Sequence, residues 1–269
     1  MNLKRWITGL VVLPFLFLLV SRGGRFLFAI VIIIICILAL WEYFRIVFYA
    51  RGEAHQGAIP ACGYITGASI IWAAYMHSFE MIIILIALNL LICALISLPR
   101  FKADPSVSEV VAKQVLGIVY IPLFLSCLVF IRNESGGVTW IYFLLFIVFS
   151  GDVGAYHCGT YFGRHKLCPA VSPGKTVEGS IGGLALNLGV GALFKHFFLP
   201  ILPWGLSLVF CIAAGVAGQV GDLFESQFKR VGHKKDSGAL LPGHGGILDR
   251  IDALLFAAPV AYFFKVYIL

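Results

Sequence analysis

Nine apolar stretches of about 20 residues, set apart by short clusters of Pro, Gly and charge, constrain this chain more than any other feature. They cover roughly 6–20, 26–49, 59–76, 80–98, 110–131, 138–162, 178–198, 202–221 and 248–268. About 20 apolar residues in a helix cross a bilayer, and only helices or closed barrels satisfy the backbone there. The rest of the composition agrees: 60% of the 269 residues are hydrophobic and 12% are charged, against about 25% charged in an average soluble domain. A soluble enzyme, a disordered chain and a fibrous protein are excluded. The expected fold is all-α, a polytopic integral membrane protein of about nine transmembrane helices. Residues 1–135 supply about five and residues 136–269 about four, with long loops at 164–177 and 222–248. Lys4 and Arg5 precede the first stretch as in a signal peptide. No A-x-A-like cleavage site follows, and Ser21-Arg22-Gly23-Gly24-Arg25 leads straight into the next stretch. The first stretch is therefore read as a retained helix.

The charges divide unevenly between the two sides that nine spans create. Of the 20 Lys and Arg residues, 15 fall on the side of the N-terminus and five on the other. The positive-inside rule makes the richer side cytoplasmic and predicts a cytoplasmic N-terminus. The net charge of +7 then reflects topology and anionic lipid, not nucleic acid. None of the seven cysteines forms a C-x-x-C pair, so neither a disulfide framework nor a zinc site is expected. His157 and Cys158 are read as helix-packing neighbours. The sequon Asn133-Glu134-Ser135 is too short a signal to carry weight.

Seven of the 13 acids lie between 152 and 252: Asp152, Glu178, Asp222, Glu225, Asp236, Asp249 and Asp252. The other six are scattered and read as ordinary helix-end charges. Asp152 falls mid-span, where a carboxylate costs at least about 2.5–3.5 kcal/mol and normally faces a polar cavity. Segment 221–252 is the densest, with five acids, five bases and two His. If the helix before it continues, Asp222, Glu225, Ser226 and Lys229 share one face. Asp249 and Asp252 open the last span behind Pro242-Gly243-His244-Gly245-Gly246, whose backbone N–H groups form a ready anion site. Carboxylates beside such a site suit Mg²⁺ against phosphate oxygens. With Lys229, Arg230, Lys234, Lys235 and Arg250 they point to phosphoryl or nucleotidyl transfer. In a second loop, Ser172 to Gly179, the run Gly174-Lys175-Thr176 is no Walker A motif, because Pro169 stands where the first Gly belongs. Lys175 and Thr176 remain candidate phosphate contacts, with Glu178 in the first turn of the next helix.

The stretch from Ser226 to Asp252 resembles the signature of the CDP-diglyceride synthetase (phosphatidate cytidylyltransferase) family. Ser226, Phe228, Lys229, Arg230, Lys235, Asp236, Gly238, Leu241, Pro242, His244, Gly245, Gly246, Ile247, Asp249, Arg250, Ile251 and Asp252 meet it at every fixed position. Ser172 to Gly179 resembles the family's S-P-x-K-T-x-E-G stretch, with Gly174 and Val177 where Lys and Trp are commoner. Asp152 to Tyr156 resembles its D-x-G-A-Y, with Val153 in place of a small hydroxyl residue. Residues before about 135 resemble the family in hydropathy alone.

The resemblance implies transfer of CMP from CTP to phosphatidate, giving CDP-diacylglycerol and pyrophosphate, with Mg²⁺ and a second cation of unknown identity. It implies metal ligation by Asp222 and Asp249, to which the reading of the residues adds catalytic roles for Lys229, Arg230, Asp252 and His244. The same reading expects substrate contacts from Asp152, Ser172, Lys175, Thr176, Glu178, Ser226, Lys235, Asp236, Gly245, Gly246 and Arg250. The expected setting is a bacterial inner membrane with the site on its cytoplasmic face; a homodimer is left open. The alternatives are another CTP-dependent lipid enzyme, such as a polyprenol kinase or CDP-archaeol synthase, and an ion-coupled transporter built on Asp152. The chain has no Asp-Gly dipeptide, which disfavours a CDP-alcohol phosphatidyltransferase.

Overall fold

A computed structural model describes residues 14–48, 57–238, 240 and 245–268. Among them, eight helices are long and apolar enough to cross a membrane. The protein is thus an all-α polytopic membrane protein. The stretch expected at 6–20 lies largely outside the described residues, and residues 14–22 are helical. The helices are α1 (Gly24–Val47), α2 (Ala58–Tyr75), α3 (Phe79–Ser97), α4 (Val107–Ile118), α5 (Phe124–Asn133), α6 (Gly137–Phe162), α7 (Val177–Phe198), α8 (Trp204–Val231) and α9 (Leu248–Phe263). A π-helical turn, Val119–Leu123, joins α4 to α5, so the apolar stretch expected at 110–131 is one rod with a bulge. Pro122 sits in that turn; it has no N–H to donate and its ring crowds the preceding turn, which a π-bulge relieves.

The chain forms two compact units. The first comprises Met1–Asn133 with Phe228–Arg250, and the second Glu134–Gln227 with Ile251–Leu269. In the first unit α1 packs on α2, and α2 on α3, α4 and α5. Lipid offers no hydrophobic drive for helices to associate, so small residues and buried polar pairs do that work. A side chain at Gly67 would meet Leu40 Cδ1 at 2.8 Å, and one at Gly117 would meet Tyr43 Cε1 at 2.7 Å. Asn89 of α3 and Gln114 of α4 are both buried. They exchange side-chain hydrogen bonds of 3.1 and 2.9 Å, and Thr66 of α2 donates to Asn89 Oδ1 at 3.1 Å. The outward face of α3 is bare apolar surface: Ile83, Ile84, Leu88, Leu91 and Leu95 are each about half exposed.

In the second unit α6 and α7 are tightly packed through glycine. A Cβ at Gly154 would lie 2.8 Å from the Gly182 carbonyl, and one at Gly183 would lie 2.8 Å from the Gly151 carbonyl. Aromatic residues fill the other end, where Phe143 stacks on Phe194 at 5.1 Å and contacts Phe210 at 4.9 Å. Between α6 and α7 runs a short antiparallel hairpin, β1 (Lys166–Cys168) and β2 (Ser172–Thr176). Pro173 and Gly174 are turn-forming residues, and the sequence predicts a loop here. A two-stranded ribbon is all edge, so it tolerates a Pro that a central strand would reject.

The largest departure in boundary is α8. The span expected at 202–221 runs ten residues further, to Val231. No Gly or Pro follows Gly221 until Gly232, and Lys229 and Arg230 in the last turn suit the negative end of the helix dipole.

Candidate active site

In the second unit, α6, the hairpin, α7 and α8 enclose a cavity of about 550 Å³. The glycine contacts bring α6 against α7. Thr176 caps α7, its Oγ1 accepting from the Gly179 amide at 3.1 Å. Glu178 in the first turn accepts from the Arg164 amide at 3.0 Å and the His165 amide at 3.2 Å, and meets His165 Nδ1 at 2.6 Å. These bonds tie the hairpin to the start of α7 and turn Lys175 into the cavity. Lys175 Nζ there meets Asp222 Oδ2 at 2.5 Å, and both side chains are about one-third exposed. Asp152, expected to face a polar cavity, lines this one, as do Ser172 and Thr176. Two further lining residues went unnoticed in the sequence: Gln219 donates to the Ser180 carbonyl at 3.0 Å, and the Ser180 hydroxyl donates back to Gln219 Oε1.

A second Lys–Asp pair lies in the first unit and is differently housed. Lys229 Nζ donates to Asp249 Oδ1 at 2.8 Å, with side chains only 11% and 9% exposed. Asp249 Oδ2 accepts from the Ser237 amide (2.9 Å), the Ser237 hydroxyl (2.9 Å) and the Gly246 amide (2.8 Å). Behind it stands Glu42 of α1, fully buried. Its Oε1 accepts from the Ile247 amide at 3.1 Å, and its Oε2 accepts from the Leu248 amide at 2.8 Å and the Ser237 hydroxyl at 3.0 Å. The anion that the Gly-rich approach to α9 attracts is thus the chain's own carboxylates. The Gly246 amide, expected to hold a phosphate oxygen, donates to Asp249.

The glycines have a steric reason. A Cβ at Gly238 would sit 2.3 Å from Glu42 Oε1, and one at Gly246 would sit 2.4 Å from Glu42 Oε2. Gly245 has φ +81°, a conformation that favours glycine.

The remaining candidates are dispersed. Ser226 is buried on α8, while Arg230, Lys235, Asp236 and Arg250 are exposed. Asp252 is half-buried, with Oδ1 accepting from the Ala253 amide at 2.8 Å. Lys234 donates to the Arg45 carbonyl at 3.4 Å; partial burial, then the Arg45 cation, hold its amine below the usual lysine range. His244 lies outside the described residues. Among the described residues no three His, Cys, Asp or Glu side chains converge. A hard cation held by Asp152, Asp222 or Asp249 would therefore complete its shell with water or ligand oxygens, as Mg²⁺ ordinarily does.

A model of the cytidylyltransferase family matches residues 3–268. This chain belongs to the cytidylyltransferase family. The match contains both Lys–Asp pairs. Among curated relatives, the phosphatidate cytidylyltransferase of Bacillus subtilis (strain 168) is 42% identical over 149 residues, 55% of each chain. That of Staphylococcus saprophyticus is 45% identical over 129 residues, 48% of this chain and 50% of the relative. That of Staphylococcus aureus (strain COL) is 44% identical over 131 residues, 49% and 50% respectively. The chain spans about half the length of the curated relatives it matches.

Proposed function

We propose that this cytidylyltransferase-family protein transfers CMP from CTP to phosphatidate, yielding CDP-diacylglycerol and pyrophosphate at the cytoplasmic face of a bacterial inner membrane. The observation that carries the reading is the cavity in which the Lys175–Asp222 pair stands beside Asp152, inside the span matched by the family. The named relatives supply the reaction.

A phosphatidate phosphate oxygen forms a bond to the α-phosphorus of CTP, the bond from that phosphorus to the bridging oxygen breaks, and pyrophosphate departs with the electron pair. A phosphate monoester is largely ionised near neutral pH, so no protein nucleophile is required. Lys175, Lys229, Arg230 and Arg250 neutralise the triphosphate, and His244 binds phosphate oxygens. Asp222 and Asp249 are the proposed cation ligands, with Asp252 in support. Held there, Mg²⁺ would supply electrostatic stabilisation of the charge that develops during transfer.

The deciding experiment supplies reconstituted protein with labelled CTP and phosphatidate, with and without Mg²⁺. The expected result is Mg²⁺-dependent labelled CDP-diacylglycerol with equimolar pyrophosphate. Phosphorylation of a polyprenol, CMP transfer to an archaeal-type lipid alone, or ion uptake without CTP turnover would each overturn the proposal.

A further inference from the structure

We propose that Glu42, in the helix preceding all the family-like motifs, is a positioning residue for Asp249; this rests on the function proposed above. Three observations converge on it. First, its location is unfavourable unless something there needs it. Glu42 lies in the C-terminal half of α1, among apolar and aromatic neighbours in the chain. It is fully buried in a membrane-spanning helix, where an ionisable side chain marks function by default.

Second, its two oxygens accept from the first amides of α9 and from Ser237. They therefore fix the helix start that carries Asp249 and the residue that holds it. The Ser237 hydroxyl stands 3.0 Å from Glu42 Oε2 and 2.9 Å from Asp249 Oδ2. It has one hydrogen for two acceptors, so the two carboxylates are coupled through it. Third, Gly238 leaves the space that Glu42 fills, and Gly246 the space that Glu42 and the Ser237 hydroxyl share.

Through Ser237 and α9, Glu42 holds Asp249 with Oδ1 directed at Lys229. A carboxamide in its place keeps the volume but offers one acceptor oxygen where two are used. The residue touches neither substrate nor reacting atoms in this scheme; it acts on turnover only by fixing Asp249.

The test compares Glu42→Gln, Ser237→Ala and the double variant in the full-length protein, with wild type as reference. Wild type that makes no CDP-diacylglycerol from CTP and phosphatidate defeats the functional reading and is recognised before any variant is compared. With active wild type, Ser237→Ala is expected to lower kcat about tenfold, as for one lost hydrogen bond to a charged group. Its KM for phosphatidate is expected to stay near wild type, and its unfolding temperature to fall by no more than about 10 °C. Glu42→Gln is expected to lower kcat at least as far, and the double variant no further than Glu42→Gln alone, the non-additivity of residues acting through one another. Amide hydrogen exchange at Ile247 and Leu248 is expected to rise in Glu42→Gln and not in Ser237→Ala.

Wild-type kcat in folded Ser237→Ala, or strictly additive losses in the double variant, would overturn the proposal. The same holds if Glu42→Gln folds, loses protection at the α9 amides and still turns over normally, since Glu42 would then be a structural tie alone. If Glu42→Gln fails to fold, Ser237→Ala decides the question, because it leaves both α9 amide bonds to Glu42 in place.

Discussion

Among the described residues, a Lys–Asp ion pair occurs in two contrasting settings. Lys175 and Asp222 meet at 2.5 Å in the second unit with a third of each side chain exposed. Lys229 and Asp249 meet at 2.8 Å in the first unit with about a tenth exposed, and Asp249 takes three further donors. An exposed pair contributes about 0–1 kcal/mol, so its members exchange partners at little cost. A buried pair is costly to break, because removing one member strands the other. The open pair is thus suited to taking up a nucleotide phosphate or a cation, while the closed pair holds a carboxylate at one place and orientation.

That contrast is breakable in graded steps. Asp249→Asn is expected to destabilise the protein by about 3–5 kcal/mol, since it removes one charge of a buried ion pair. CMP transfer is expected to fall by about 10²–10³-fold, on the scale of losing one transition-state electrostatic contact. Thermal unfolding and a labelled-CTP assay measure the two effects. Retained transfer would remove Asp249 from the chemistry.

Gly182→Leu tests the wall of the open cavity. A Cβ at Gly182 would lie 2.3 Å from both Cβ and Sγ of Cys158, so α6 and α7 must part. Overpacking of this kind costs about 1–3 kcal/mol, read as a lowered denaturation midpoint. An unchanged midpoint would mean that the close approach is dispensable.

Lys175→Ala is expected to change stability by no more than about 1 kcal/mol. It is expected to lower kcat/KM for CTP about 10–100-fold, the worth of a charge-assisted contact of about 1.5–3 kcal/mol. A stability loss matching that of Asp249→Asn would erase the distinction between the two pairs.

The smallest effect is that of salt. Raising ionic strength from about 0.1 M to 1 M shortens the Debye length from about 10 to 3 Å. The apparent affinity for CTP is expected to weaken severalfold in wild type and markedly less in Lys175→Ala. Equal salt dependence in both proteins would place the screened contact elsewhere.

How legible the molecule was depended on the range of the interaction involved. Seven of the eight described spans end within a few residues of where hydropathy puts them, because crossing a bilayer is a property of one helix at a time. Asp222 and Asp249 stood out as carboxylates bordering apolar runs, and Asp152 as an acid within one. Glu42 read as an ordinary helix-end charge because its partners lie some 200 positions further along the chain. The available hint was a glutamate within a long apolar helix. Ser180 and Gln219 carried no hint, since a hydroxyl and an amide in a membrane helix more often bond to a neighbouring helix than line a cavity.

The sequence by itself determined that this chain is an all-α membrane protein and where its described helices are long and apolar enough to cross the bilayer. Hydrocarbon admits backbone only when each segment satisfies its own hydrogen bonds, and that requirement is written locally. It also supplied the Lys and Asp residues of the two ion pairs. Only the tertiary structure decided which lysine meets which aspartate, which pair is open and which closed, and that the amides at the start of α9 hold Glu42 and Asp249. Those choices depend on how closely helices approach, and that is set by glycines whose partners are far away in the chain.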